Sequence, residues 1–461
     1  MSQLSEFQAL KALIHDQLDR YEALLKQSGT PEPFLNEARL HPVMDDSNHV
    51  AEKELWVTTR NLASALDMMA TMIQLPSEHV MCEAMSAYKA LSLQMATHLN
   101  LADVIRELSG ATGKPVSVDE IGATTGLHPS RVLKVLRPLA NSYIFQETSE
   151  GYFINNRLSL HLLDECDAKQ YVQYASWMQP RAVPSVPDAW LTPGCKDDMS
   201  PSNAAFLHAF QMQHKVADAF ELFQQQAPDM VRRFGVGMQA CNRGSIEGIL
   251  LDYPWSEFPD GTVCVDLGGG IGHVTEALLK RYPNLHGVVQ DRPEVVEQAK
   301  ARLAKTMPDA VASGRVQFEA ADFFKEVTRS GPKTVYVMRM IIHDWPDPQA
   351  LQILANVKAK MQPDSKLIIL DTLLQPAIVA GTNSGEEELV EGVGEVPYPL
   401  YRSGGVTGNW IQRVDQEVSV ALNATERTPR EFKRLIEQAG LKVESIVQPR
   451  SRHGIITAVL P

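Results

Sequence analysis

Cysteine is scarce in this 461-residue chain, and its five copies, at 82, 166, 195, 241 and 264, are scattered. No Cys-x-x-Cys pair occurs and the count is odd. That argues against a disulfide framework or a zinc site, points to no metal, and leaves free thiols in a reducing compartment. Long apolar runs are lacking too: none approaches the ~18 residues that span a bilayer. The opening segment, residues 1–25, reads as an amphipathic helix without the apolar stretch of a secretion signal. A cytoplasmic protein with no membrane partner is expected. Positive charge is also short, with 43 Lys and Arg against 56 Asp and Glu and a net charge of −13. A nucleic-acid backbone rewards a basic face, so no nucleic-acid partner is expected. What remains is 44% hydrophobic and 21% charged, a soluble globular profile, and the length fits two or three domains.

Residues 1–75 carry helical periodicity, interrupted at Gly29–Pro33 and Pro42–Asn48, and form an N-terminal helical extension. A single helix is expected over Glu78–Asn100, with Val80, Met81, Met85, Tyr88, Leu91 and Met95 on a face that is either buried or a dimer interface. Ser117 to Glu120 has the pattern of a capping box. Gly126 ends that helix, His128-Pro-Ser130 starts another, and strands follow near Ile144–Glu147 and Tyr152–Ile154. Two helices and a β-wing make a winged helix. Its second helix offers only Arg131, Lys134 and Arg137 as cations, so it reads as a dimerising rather than a DNA-reading module. Residues 76–165 are assigned to it. Residues 166–250 are connecting helices rich in aromatic residues, mostly core, with some able to wall a substrate pocket together with Met212 and His214.

From about residue 251 the pattern becomes alternating strands and helices, which predicts an α/β fold with a doubly wound parallel sheet. Strands are expected at Thr262–Leu267, Leu285–Gln290, Val316–Glu319, Thr334–Met338 and Lys366–Asp371. Helices are expected at His273–Arg281, Glu294–Lys305 and Pro348–Met361. An antiparallel hairpin, Leu441–Val447 and His453–Leu460, closes the sheet edge. Residues 378–410 interrupt this domain with Gly385-Glu-Glu-Glu388 and further glycines, as a surface insert or a lid.

The strongest chemical signal is Val265-Asp266-Leu267-Gly268-Gly269-Gly270-Ile271-Gly272-His273, after an apolar strand and opening a helix. Glycines let backbone turn sharply and approach a ligand. The nicotinamide pattern G-x-G-x-x-G fails at His273. Asp266 followed by glycine at +2, +4 and +6 is instead the form used by domains that bind S-adenosylmethionine. The second strand ends at Asp291, placed to accept ribose hydroxyls, and the third at Asp322 and Phe323, placed to hold and cover an adenine. After the fourth strand comes Met338-Arg339-Met340-Ile341-Ile342-His343-Asp344-Trp345. A histidine past the carboxyl edge of a sheet faces the ligand crevice and suits deprotonation of a phenol near neutral pH. Asp344 and Trp345 read as its braces.

Together DLGGGIG, VVQD, ADFF and RMIIHDWPD resemble the plant caffeate and flavonoid O-methyltransferases, and more closely their fungal secondary-metabolism relatives. The resemblance covers most of the chain except its start and residues 378–410. It implies a Rossmann-like domain that binds S-adenosylmethionine, an N-terminal winged-helix dimerisation domain, a homodimer, and a hydroxylated aromatic or polyketide-type substrate. It implies cofactor contacts at Gly268, Asp291, Asp322, Phe323 and Arg339, His343 as general base, and Glu426 as the carboxylate orienting it. Two positions depart from the pattern. Plant members carry lysine at Arg339, and a second glutamate beside the histidine is replaced here by Thr372, next to Asp371. The departure keeps a second reading open, because the resemblance extends to fungal pericyclases that retain the cofactor without transferring methyl. Arg339 and His161 would then polarise the substrate. A third reading, a cofactor-sensing regulator, lacks the basic recognition face it needs.

Overall fold

A computed structural model describes residues 5–46, 48–242, 245–381, 389–392 and 396–461. The extension is a helical pair, Glu6–Ser28 and Lys53–Ile73. The Ser5 hydroxyl caps the first helix and Gly29, in the left-handed region, ends it. The intervening loop is tied to the rest of the chain by Arg157, whose guanidinium grips both oxygens of Asp45 at 2.7 Å.

The expected helix over 78–100 is two helices, Pro76–Ala84 and Ser86–His98, broken at Met85. Neither glycine nor proline marks the break, and the apolar spacing runs through it, so periodicity could not reveal it. Leu75, Val80, Met81, Met85, Tyr88 and Leu91 are exposed rather than buried.

The winged helix forms as its caps dictate. Ser117 and Glu120 close a reciprocal capping box at the helix Val118–Thr125, which Gly126 terminates. Pro129 occupies the first turn of the helix Pro129–Ala140. Strands β1 (Val116–Ser117), β2 (Gln146–Ser149) and β3 (Tyr152–Ile154) pair antiparallel in the order β1-β3-β2. Ile121, Val132, Leu136, Leu139, Phe145 and Phe153 make its core. One of the three cations on the second helix, Arg137, is paired with Glu147.

The large sheet has seven strands: β4 (Val263–Leu267), β5 (His286–Asp291), β6 (Val316–Ala320), β7 (Thr334–Arg339), β8 (Lys366–Leu370), β9 (Lys442–Val447) and β10 (Ile455–Val459). Their order is β6-β5-β4-β7-β8-β10-β9. Strands β4 to β8 run parallel, and β10 lies antiparallel to both β8 and β9. The hairpin closes the sheet with β10 inward and β9 at the edge. Alternate residues feed opposite cores: Val265 and Leu267 pack on one face, Cys264 on the other. Because β5 and β7 flank β4, the chain changes direction across the sheet at the carboxyl end of β4, where open α/β sheets bind ligands.

Part of the 378–410 insert, residues 382–388 with Gly385–Glu388 and residues 393–395, lies outside the described residues. Its described parts are anchored. Val379 bridges Tyr401, Glu391 bridges Val447, and buried Leu400 packs with Leu10 and Ala65 of the extension. The irregular stretch ends at Gly408, because a helix runs over Asn409–Leu422. Among the described residues no helix is long and apolar enough to cross a membrane, and no group of three or more His, Cys, Asp or Glu is placed to hold a metal ion.

Candidate active site

The glycine turn joins β4 to the helix His273–Arg281. Gly268 and Gly270 both take positive φ, +68° and +56°, which glycine alone adopts freely. The two face different surroundings. A Cβ on Gly268 would strike Ile341 and come within 3.4 Å of the Phe323 ring, whereas one on Gly270 would meet nothing within 4 Å. The turn is thus pinned at Gly268 and opens on the crevice at Gly270. Gly269 is packed against the Asp266 carboxylate and Gly272 against Leu303.

Asp266 is buried, accepts a hydrogen bond from the Thr275 hydroxyl at 2.9 Å, and so fastens the turn to the helix behind it. Burial pushes its pKa up to about 6. Asp291, at the tip of β5, accepts from the Gly270 amide at 2.9 Å. Asp322, after β6, accepts from the Phe324 amide at 3.0 Å. Phe323 leans over Gly268, and its carbonyl takes a hydrogen bond from Asn356. A backbone turn with one open glycine, a carboxylate beside it and an aromatic ring above it fits an adenosyl group.

The histidine pocket lies one strand over. Met340, just past β7, holds φ at +53°, and the chain turns there into the short 3₁₀ segment Ile342–Asp344. Such strain in a residue other than glycine costs about 1–3 kcal/mol and is kept where surrounding contacts enforce it. Two side chains do so here. Asp371 accepts from the Ile341 and His343 amides at 3.3 and 3.2 Å. Buried Arg427 donates to the carbonyls of Ile342 and Trp345 and to Asp347, each at 2.8 Å.

With the loop fixed, the His343 ring meets carboxylates on both sides. Its Nδ1 lies 2.7 Å from Glu426 Oε1 and its Nε2 lies 3.3 Å from Asp344 Oδ1. A carboxylate only accepts, so Nδ1 carries a proton. Burial works against a charged imidazole. The charges of Asp344 and Glu426, the Glu426 hydrogen bond and the charge of Asp371 override it and push the pKa up to about 10. Glu426 Oε2 is buried and has no hydrogen-bond partner among the described residues. Asp415 accepts from the Glu426 amide at 2.9 Å and steadies this carboxylate.

Arg339 ends β7 at the same crevice, and its charge is felt by Asp266. The structure does not bring His161 to it. His161 sits in the turn Ser159–Leu162 of the winged-helix region, where its charge acts on Asp45. The charge of Arg339 is felt by the imidazoles of His273 and His453, and His453 is bridged to Thr372 just before β10. Burial first, then the charges of Arg339, His343 and Arg452, hold His453 well below the usual histidine range, so it is neutral. Nothing in the sequence marked His453, and Arg427 was legible only as the neighbour of Glu426.

The connecting helices supply aromatic side chains that mostly pack on one another, as expected: Trp177 lies against Phe206, Phe210 and Phe223. His214 is exposed and Met212 packs into this core. Toward Asp344 the helices present Tyr174, whose pKa is raised well above normal by burial and by the charges of Glu417 and Asp344. Tyr171 donates to Glu417 at 3.0 Å and packs against Trp410.

Residues 195–390 match the O-methyltransferase domain family. Over its length the chain is similar to the O-methyltransferase tpcA of Aspergillus fumigatus, 27% identical across 89% of this chain and 88% of that one. It is similar to the sterigmatocystin 8-O-methyltransferase of Aspergillus parasiticus, 23% identical across 94% and 91%. Among solved structures it resembles LepI in complex with S-adenosylmethionine, with a TM-score of 0.67, 20% identity, and coverage of 97% of this chain and 100% of that one. The chain thus carries a match to the O-methyltransferase domain over residues 195–390 and is similar, over most of its length, to fungal O-methyltransferases.

Proposed function

We propose that the protein methylates a hydroxyl of an aromatic or polyketide-type small molecule, with His343 as general base. The observation that carries this reading is the 2.7 Å contact of His343 Nδ1 with Glu426, which keeps the proton on Nδ1 and makes Nε2 the proton acceptor once the ring, charged below a pKa of about 10, is neutral. In this reading Gly268, Gly269, Gly270 and Gly272 shape the cofactor turn over Asp266. Asp291 takes the ribose hydroxyls, and Asp322 and Phe323 hold the adenine. Arg339 faces the remainder of the crevice. When bound, S-adenosylmethionine supplies the electrophilic methyl. The protein's share is to orient the acceptor oxygen and remove its proton. The acceptor hydroxyl enters between Nε2 and Asp344, Nε2 takes its proton, and Glu426 stabilises the imidazolium that forms. Tyr174, Tyr171 and Trp410, packed against one another, give the flat acceptor its walls.

A second reading has a specific observation behind it. The charge of Arg339 reaches His453, which burial keeps neutral, and the buried Nδ1 of His453 has no hydrogen-bond partner among the described residues. A cation and a neutral imidazole suit polarisation of a carbonyl, as a pericyclase without methyl transfer requires. Mass spectrometry of a turnover mixture separates the two. A product heavier by one methyl, with S-adenosylhomocysteine formed, supports transfer. An isomer or dehydrated product with the cofactor intact rejects it.

We also read the chain as four parts: the extension 1–75, the winged helix 76–165, the connecting helices 166–250 and the catalytic domain 251–461. We infer a homodimer formed through the helices Pro76–Ala84 and Ser86–His98. Val80, Met81, Met85, Tyr88 and Leu91 expose an apolar stripe there of the kind a partner covers. Light scattering on a Met81→Glu/Tyr88→Glu variant should report a monomer, and an unchanged dimer rejects this interface.

A further inference from the structure

A cavity of about 440 Å³ lies between the extension and the turn Arg450–Ser451–Arg452. Its apolar walls include Tyr21, Val43, Met44, Val50, Leu55 and Trp56. Its lining contains neither the glycine turn nor His343, Glu426 or Arg339, and it approaches the proposed acceptor walls where Arg452 lies over Trp410.

Three arginines reach it, and they are not alike. Arg450 is neutralised by Asp252, with Nη2 and Oδ1 2.6 Å apart, and donates to the carbonyl of Ala51. Arg60 and Arg452 have no carboxylate partner among the described residues. Each guanidinium instead lies over a tryptophan ring, Arg60 over Trp56 at 4.7 Å and Arg452 over Trp410 at 4.8 Å. Arg60 is half-buried, and its pKa is depressed first by burial and then by the charge of Arg452. In a chain of net charge −13, two like charges facing one apolar cavity leave a place for an anion. Planar guanidinium forks match a carboxylate better than a spherical ion.

We propose that this cavity binds a small organic acid, with its carboxylate between Arg60 and Arg452 and its apolar body against Trp56 and the Val43–Val50 wall. The test is calorimetry on the full chain with 2-naphthoate as probe. Binding to the wild type should be saturable at one site. Arg60→Gln and Arg452→Gln should each weaken it by about tenfold or more, the scale of a lost charge-assisted hydrogen bond, with thermal unfolding unchanged. Equal binding by wild type and variants overturns the proposal. So does equally tight binding of 2-naphthalenemethanol, which has the same body without the charge. Inorganic phosphate displacing naphthoate as well as naphthoate itself does would reveal an unselective anion hole and also overturn it. Should Arg60→Gln fail to fold, the exposed Arg452 decides the outcome alone.

Discussion

The two halves of the site are built by opposite means. The cofactor crevice is backbone and strand tips: a glycine turn, and Asp291, Asp322 and Phe323 each at or just past the end of a parallel strand. The histidine pocket is side chains from distant stretches of chain. His343 and Glu426 are 83 residues apart, and Arg427 reaches 85 residues back to Ile342. The first half is open and needs a ligand to fill it. The second is closed and crowded with carboxylates. The comparison teaches that, if the proposed roles hold, cofactor binding and proton removal rest on separate frames, each of which can be broken alone.

The largest effect is expected from His343→Ala. Loss of a positioned base costs about 10²–10⁴-fold in rate, while calorimetry should show cofactor affinity unchanged. If affinity falls in parallel, the two halves are not independent. Gly270→Phe is the converse. It fills the one open glycine position, and overpacking of about 1–3 kcal/mol corresponds to roughly 5- to 150-fold in affinity. The thermal shift given by S-adenosylmethionine should shrink accordingly, and an undiminished shift would place the cofactor elsewhere. Arg427→Met removes donors to two carbonyls and to Asp347, and should cost about 1–3 kcal/mol of stability, read as an earlier thermal transition. Equal stability would show that Asp371 alone holds the loop.

The smallest change is expected from Asp344→Asn, which sharpens the electrostatic side of the comparison. The charge of Asp344 favours the imidazolium, so the wild-type base gains its neutral form only as pH rises toward about 10. Removing that charge lowers the value, and neutral imidazole then appears at lower pH. The acid limb of the kcat/KM profile should move downward in pH. A limb that stays in place would show that the acceptor displaces Asp344 before titration matters.

Legibility followed the same division. Where contacts are local the sequence was readable. The helix His273–Arg281 was placed to the residue, the Ser117 capping box formed, and the strands from β4 to β8 fell within a residue or two of their expected ends. The positions of Asp291 and Asp322 and of the glycine turn were legible because a parallel sheet sets its strand ends at predictable places. Long-range pairings were not. His453 comes within reach of the charge of Arg339 because β10 inserts between β8 and β9, an order that the hairpin's sequence does not encode. His161, offered as a partner of Arg339 only in the pericyclase reading, lies in a turn whose surroundings include Asp45. Asp371 was visible beside Thr372, but not its use: it grips the loop backbone rather than the ring.

One consequence follows from the adjacency of Glu426 and Arg427. The first residue holds the ring of His343, the second the loop on which that ring is mounted. A displacement of this dipeptide therefore carries the imidazole with it, and their separation survives movement of the surrounding helices. The acid and its histidine are thus held through one short stretch of chain, so a substitution that shifts this dipeptide acts on the ring and on its mount together.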